Sequence, residues 1–388
     1  MKALSRKTEQ FTESVIRNMT RIANEYGAIN LSQGFPDFPP PKELTARLAE
    51  VAAEGPHQYG MTWGAQNFRE ALARKHGHFS GEERDPEREI VVTCGSTEAM
   101  MAAMMTVADP GDKVIIFSPF YENYRADTIL SGAQPTFVPL VPPDFTFDLN
   151  RIEDAFRDGA KAIVICNPSN PCGKVFTREE LQSIAGLVIK YDAYAIMDEV
   201  YEHILYEPNK HVYMSTLPGM RERTLICSSL SKTYSITGWR LGYIMSSPEI
   251  IDRAKKAHDF LTVAAAAPLQ EAAVTGLNFP DAYYKDLQDH YTHMREVFCG
   301  GLADLGFNYV KPQGAYYVLM DVSEFGVKDD NAFCEWMTKE VGVATVPGSS
   351  FFWEDVNNYI RFHFAKKDET LIEALNRLES LRAKAAKR

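Results

Sequence analysis

From about residue 90 onward, short apolar runs alternate with longer stretches of helical pattern. Ile90-Val91-Val92-Thr93-Cys94 reads as a buried strand, and Ser96 through Val107 follows as a helix. Lys113 to Phe117, Lys161 to Cys166, Tyr194 to Asp198, Thr224 to Ser228 and Leu241 to Met245 are further strand candidates. Helices fit between most of them. Arg178 to Tyr191, for example, opens after Thr177 with Glu179 and Glu180 in its first turn, a helix-start signal. Strands that are apolar on both faces and separated by helices predict an α/β layer around a largely parallel sheet.

The ends of the chain have a different texture. Residues 1–33 hold one amphipathic helix candidate, followed by Gln33-Gly34-Phe35-Pro36-Asp37-Phe38-Pro39-Pro40-Pro41, too rich in proline for regular structure. Beyond about residue 280 the pattern becomes helix, hairpin-like strands from Gly306 to Asp321, helix, and a last strand near Tyr359 to Phe364. The expected organisation is an N-terminal arm that belongs partly to a small domain (1–40), a large domain (41–280) and a smaller α+β C-terminal domain (281–388).

Composition narrows the function classes. With 388 residues the chain has room for two domains, and 45% hydrophobic with 24% charged residues is ordinary for a soluble enzyme. A net charge of -11 argues against a general nucleic-acid binder, which needs a basic face. No apolar run approaches the roughly 20 residues of a membrane span, and the start of the chain lacks the apolar core of a secretory signal. The six cysteines are scattered with no CxxC pair. Cys94, Cys166 and Cys227 each end an apolar run, which predicts buried free thiols and a cytoplasmic setting.

The unusual polar residues fall at the ends of predicted strands, where an α/β sheet collects its ligands. Gly95-Ser96-Thr97 opens a helix after the first strand. It is either a plain N-cap or an anion site built from free amides and the helix dipole. Cys166-Asn167-Pro168-Ser169-Asn170-Pro171-Cys172-Gly173 places two Asn-Pro units after a strand, forcing an extended turn. Asp198, ending an apolar strand, either caps the next turn or meets a cation such as a protonated pyridine nitrogen. Tyr201 lies three positions on, within reach of the ring oxygen of such a group. Lys232, in Ser229-Leu230-Ser231-Lys232 with Arg240 eight positions later, suits an amine that forms a Schiff base beside a bound phosphate. A solvated loop lysine is the plainer alternative.

In this order and combination, the motifs resemble the class I/II aminotransferases, the fold-type I pyridoxal phosphate enzymes, over nearly the whole chain. The Gln33 to Pro39 loop is most similar to the kynurenine, glutamine and methionine aminotransferase branch. That resemblance implies a mostly parallel seven-stranded sheet between helices, a smaller α+β domain and pyridoxal 5'-phosphate as cofactor. It implies Lys232 as the Schiff-base lysine and Asp198 as the partner of the pyridine nitrogen, with Tyr201 and Asn170 bonding the ring O3'. It further implies Tyr121 stacked on the ring and Gly95, Ser96, Thr97, Ser229 and Arg240 as the phosphate cup. Tyr59 would reach the phosphate of a neighbouring subunit in a homodimer with shared active sites. Arg361, in Ile360-Arg361-Phe362, would clamp the substrate α-carboxylate, passed closely by Gly34. Small-molecule partners follow: a neutral amino acid, aromatic or methionine- or glutamine-like, and a 2-oxo acid. The chain differs from the kynurenine branch in the four alanines Ala264 to Ala267, where that branch carries aromatic and histidine side chains. A C–S β-lyase on the same apparatus, and a non-catalytic ligand sensor on the same fold, are the alternatives. The imine-forming lysine speaks against the sensor.

Overall fold

The computed structural model describes residues 2–11 and 13–388; Met1 and Thr12 lie outside the described residues. A seven-stranded sheet runs, edge to edge, through Ile90–Thr93, Gly242–Met245, Thr224–Ser229, Tyr194–Asp198, Ala160–Cys166, Lys113–Ser118 and Gln134–Pro139. Only Gly242–Met245 runs antiparallel to its neighbours. The order doubles back in sequence, so the carboxyl ends of Thr93, Asp198 and Ser229 emerge along one edge of the layer. The mostly parallel sheet expected of the sequence is therefore present.

Its strands look continuously apolar because both faces are covered. Val164 and Ile196 turn toward helix Ser96–Val107 and pack with Ala99, Ala103 and Met104. Ile163, Ile165 and Met197 turn the other way, toward Leu181, Ile184 and Val188 of helix Arg178–Lys190. That second helix begins with a reciprocal cap. The Thr177 hydroxyl accepts from the Glu180 amide at 3.2 Å, and the Glu180 carboxylate accepts from the Thr177 amide at 2.9 Å. Gln134–Pro139 is the strand that hydrophobic patterning did not mark. Pro135 and Pro139 interrupt the signal, and they are tolerated because this is an edge strand paired on one side only.

The C-terminal third forms a second sheet in the order Val346–Pro347, Tyr359–His363, Tyr317–Asp321, Tyr309–Val310, all antiparallel. Helices Asp281–Asp304 and Asp368–Leu378 cover it, and Met19, Ile22 and Leu31 from the start of the chain share its core. A two-residue strand, Ile29–Asn30, pairs in parallel with Val343–Ala344. Val200, Tyr201, Ile204 and Tyr206 belong to this same core although they follow directly on Asp198. The stretch from 198 to 206 thus passes from one layer into the other. The six cysteines are all free, and five are buried. Cys94 is the exception to the expected burial: it sits half-exposed where the first strand opens into a groove lined by Glu98 and Thr262. Among the described residues, no helix is long and apolar enough to cross a membrane.

One buried ion pair anchors the passage between the layers. Lys75 Nζ meets Glu202 at 2.6 Å with both side chains 7% exposed, and Glu202 also accepts from the Tyr213 hydroxyl at 2.7 Å. Lys75→Met leaves that carboxylate uncompensated, and the expected loss of stability is about 3–5 kcal/mol. The double variant Lys75→Met/Glu202→Leu should recover much of it. Urea unfolding midpoints of the three proteins check this.

Candidate functional site

The strand ends and the second sheet enclose a cavity of about 420 Å³. Of the residues singled out by sequence, Gly34, Ser96, Thr97, Tyr121, Asn170, Asp198, Tyr201, Lys232, Arg240 and Arg361 line it together. Gly95 lies directly beneath, Ser229 is buried behind the wall, and Tyr59 is 89% exposed away from this chain's own cavity.

Lys232 leaves the turn after strand Thr224–Ser229 and points at the N-terminal loop, where Nζ donates to the Gly34 carbonyl at 3.3 Å. The rings of Tyr201 and Tyr316 flank it at 5.8 and 5.7 Å. Its pKa is brought down to about 8, first by burial; Asp198 opposes this, and Arg240 and Arg361 add to it. The cation effect expected from Arg240 is present but smaller than both desolvation and the opposing pull of Asp198.

Asp198 is 6% exposed at the end of its strand. Its oxygens accept from the Tyr124 hydroxyl at 2.6 Å and the Val200 amide at 3.3 Å. Burial holds its pKa above the ordinary carboxylate value, and among the described residues it makes no ion pair. Tyr124 arrives from helix Asn123–Leu130, and no local pattern in the sequence announces this bond.

Two glycines shape the turn that begins helix Ser96–Val107. Gly95 has φ +85°, and a Cβ there would run into the Arg240 guanidinium; a Cβ on Gly242 would meet the Ser96 amide nitrogen at 2.6 Å. No side chain caps this helix, so Ser96 and Thr97 are not acting as ordinary N-caps. The open amides, the helix dipole and Arg240 make a concave anion site. Arg240 itself adopts a left-handed conformation, φ +53°, and Nη1 donates to the Thr237 carbonyl at 3.1 Å. Ser231 also lines the cavity, and its buried Oγ has no partner among the described residues. Ser229 Oγ lies behind it and accepts from the Ser231 amide at 3.3 Å.

On the opposite wall, Arg361 is 1% exposed and has no carboxylate partner among the described residues. Nη1 donates to Asn170 Oδ1 at 2.7 Å and Nη2 to the Ser32 carbonyl at 2.7 Å, while Nε has no partner. The guanidinium is sandwiched between Tyr317 and Phe351, 4.3 and 4.5 Å from their ring centroids. A dry guanidinium without a counter-ion has the chemistry to receive a carboxylate. Gly34 owes its lack of a side chain to a protein neighbour: a Cβ would strike the Tyr317 phenol, 2.8 Å from Cζ. Tyr317 also bonds the Tyr201 hydroxyl at 3.0 Å, and Tyr316 donates to the Gly34 carbonyl at 2.9 Å. Sequence reading missed this tyrosine pair, although the doublet Tyr316-Tyr317 entering a strand was visible.

Comparison with known proteins points one way. Residues 26–378 match the family described as aminotransferase class I and II. The methionine aminotransferase of Escherichia coli K12 is 35% identical, with 97% of each chain covered. Kynurenine–oxoglutarate transaminase 3 of Rattus norvegicus is 34% identical over 95% of this chain and 88% of its own. The solved structure of N-succinyldiaminopimelate aminotransferase from Mycobacterium tuberculosis superposes with a TM-score of 0.94 at 33% identity, covering 98% of this chain and all of that one.

The environment of Lys232 gives a direct chemical expectation. Below pH 8 its amine is protonated in the cofactor-free protein, and through about pH 8 it becomes a nucleophile, well before surface lysines at about 10.4. Competitive trace labelling with an acylating reagent, read by peptide mapping across pH 6–11, should place the Lys232 midpoint near 8. A midpoint with the surface lysines would show that the amine is not desolvated.

Proposed function

The chain belongs to the class I and II aminotransferases, and from that premise we propose that it moves the amino group of a neutral, medium-to-large L-amino acid to a 2-oxo acid. It is a pyridoxal phosphate-dependent transaminase. The observation that supports the assignment of residues most directly is the convergence of three groups on one cavity. These are an amine held near pH 8, a carboxylate without a cation and a guanidinium without an anion.

The donor set fits the cofactor. Asp198 lacks the cationic partner that a buried carboxylate needs, and a pyridinium nitrogen would be one. The unpartnered Ser231 hydroxyl, the uncapped amides of Ser96 and Thr97 over Gly95, and Arg240 suit a phosphate. When bound, pyridoxal phosphate supplies an aldehyde for an amine and a ring that accepts electrons from the substrate. Lys232 Nζ provides the amine and carries the proton to and from the substrate Cα. Tyr201 and Asn170 offer hydrogen bonds to the ring oxygen, and Tyr121 offers an aromatic face. Arg361 holds the α-carboxylate that every amino acid and 2-oxo acid shares, which fixes the Cα–H bond relative to Lys232. Asn170 and the Ser32 carbonyl keep that fork in plane.

Phe35, Tyr121 and Tyr317 give the substrate side of the cavity an aromatic wall. Burying an apolar side chain there gains about 25 cal/mol per Å², which favours methionine-like and aromatic donors. The relatives named for methionine and kynurenine support the same class. Tyr59, with exposed Met61 and Phe260, suits an isologous homodimer in which each subunit completes the other's phosphate site. A cytoplasmic location, consistent with six free thiols, completes the reading.

Borohydride reduction of the holoenzyme should leave the cofactor on Lys232, and Lys232→Ala should lose about two to four orders of magnitude in turnover. Label on another lysine would refute the assignment. Arg361→Lys should lower kcat/KM about 10-fold to 100-fold for every substrate alike, because an ammonium cannot make the two parallel bonds. Steady-state assays over a panel of donors check this, and aspartate outperforming methionine and the aromatic amino acids would overturn the proposed specificity.

A further inference from the structure

Of the three rings that form the substrate wall, two are held by their neighbours in the site. Tyr317 opens the strand Tyr317–Asp321, and its hydroxyl bonds that of Tyr201 at 3.0 Å. Tyr121 packs edge-on against the buried Tyr124, with centroids 5.8 Å apart. Phe35 has neither support. It lies half-buried in the irregular loop from Gln33 to Pro39, and a phenyl ring has no donor or acceptor to pin it.

This ring is held from behind. Lys366 follows the strand Tyr359–His363 by three positions, and its Nζ stands 4.4 Å from the Phe35 centroid. Phe35 lines the cavity; Lys366 is not among the lining residues. The Lys366 side chain belongs to a residue only 6% exposed, and among the described residues it makes no ion pair. Burial lowers its pKa and Asp37 opposes this from a distance, but Asp37 gives its two oxygens to the Lys367 amide at 2.7 Å and the Thr370 hydroxyl at 2.8 Å. An ammonium taken out of water needs a partner, and the face of an aromatic ring is one. His363 is the other ring beside Phe35, wholly buried and tilted at 33° with centroids 6.5 Å apart. Burial first, then Lys366 and Arg361, hold the His363 pKa well below its ordinary value, so it packs there as a neutral ring. One short stretch of chain thus grips the loop twice: the turn at Lys367 and Thr370 fixes its backbone through Asp37, and Lys366 fixes the ring.

We propose that Lys366 is a positioning residue for donor selectivity: its ammonium, seated on Phe35 from outside the cavity, holds that ring as the wall against which an apolar or aromatic amino-acid side chain packs. This rests on the transaminase reading above and deepens it, naming a residue through which the neutral donor class is chosen. Without the charge, Phe35 is free to turn within its loop. Donors with large side chains then lose contact area, whereas alanine, with a single methyl, has little to lose.

The test mixes the holoenzyme with one amino acid at a time and no acceptor, so that cofactor absorbance reads the donor half-reaction alone. The readout is the second-order rate constant for phenylalanine and for methionine, each divided by that for alanine. Lys366→Met should lower both ratios about 3-fold to 30-fold, the range for a cation on an aromatic face. Lys366→Gln, polar but uncharged, should fall as far, and Lys366→Arg, which returns a cation to the ring, should recover most of the loss. In a Phe35→Leu background, Lys366→Met should lower the ratios no further, because the ring through which it acts is gone. Unchanged ratios in Lys366→Met and Lys366→Gln overturn the proposal. So does an equal loss for alanine, which marks a purely structural role, or an additive effect in the double variant. A wild-type holoenzyme that converts no amino acid would instead bring down the transaminase reading, and one that converts alanine faster than phenylalanine and methionine the donor-class reading; this inference falls with either.

Discussion

Charged side chains are taken out of water in this cleft without the partners that would ordinarily offset the cost. Asp198 and Arg361 are almost wholly buried, Lys232 is largely so, and among the described residues none of them makes an ion pair. Leaving each such group unpaired costs several kcal/mol. The protein meets that cost with neutral hydrogen bonds: Tyr124 and the Val200 amide on Asp198, Asn170 and the Ser32 carbonyl on Arg361, the Gly34 carbonyl on Lys232. These bonds orient the charges without neutralising them. What remains is a cavity whose electrostatic demand is complementary to a phosphorylated pyridinium and an amino-acid carboxylate.

That demand explains why the cleft lies between two cores. A single sheet presents its strand ends to open solvent, where Lys232 would titrate with the surface lysines at about 10.4. The second sheet and the N-terminal loop close over those ends and exclude water. The loop is tied to the C-terminal part of the chain: Asp37 accepts from the Lys367 amide and the Thr370 hydroxyl at the start of helix Asp368–Leu378, and Phe38 packs edge-on against His290 and Tyr291. Gly34 is the point of closest approach, pinned between Lys232, Tyr316 and the Tyr317 ring. A lysine of one layer thereby reads the backbone carried by the other, so that its desolvation depends on the two layers being docked.

The cavity is also unevenly built. Its floor is fixed by backbone, with Gly95 and Gly242 in contact and a helix start left uncapped. Its mouth is made of side chains on the first helix and on Glu122, with one hydroxyl contact between them. A rigid floor suits a cofactor that stays, and an adjustable mouth suits substrates that alternate.

Sequence alone determined what depends on local chemistry. Strands buried on both faces read as unbroken apolar runs, and Thr177 with Glu180 announced a helix start because a cap is satisfied within four residues. Lys232, Asp198 and Asn170 stood out because each is a polar group at the end of such a run, where the sheet itself directs it to one edge. Beyond that reach only the tertiary structure could decide. Arg361 meets Asn170 across 191 positions and Lys232 meets Gly34 across 198, and no local pattern encodes such a meeting. The pairing of Tyr124 with Asp198 across 74 positions and the presence of Arg17 at the mouth likewise follow only from how the chain closes on itself. Periodicity specifies which face of an element is apolar; it does not specify what the opposite face will find when the chain closes on itself.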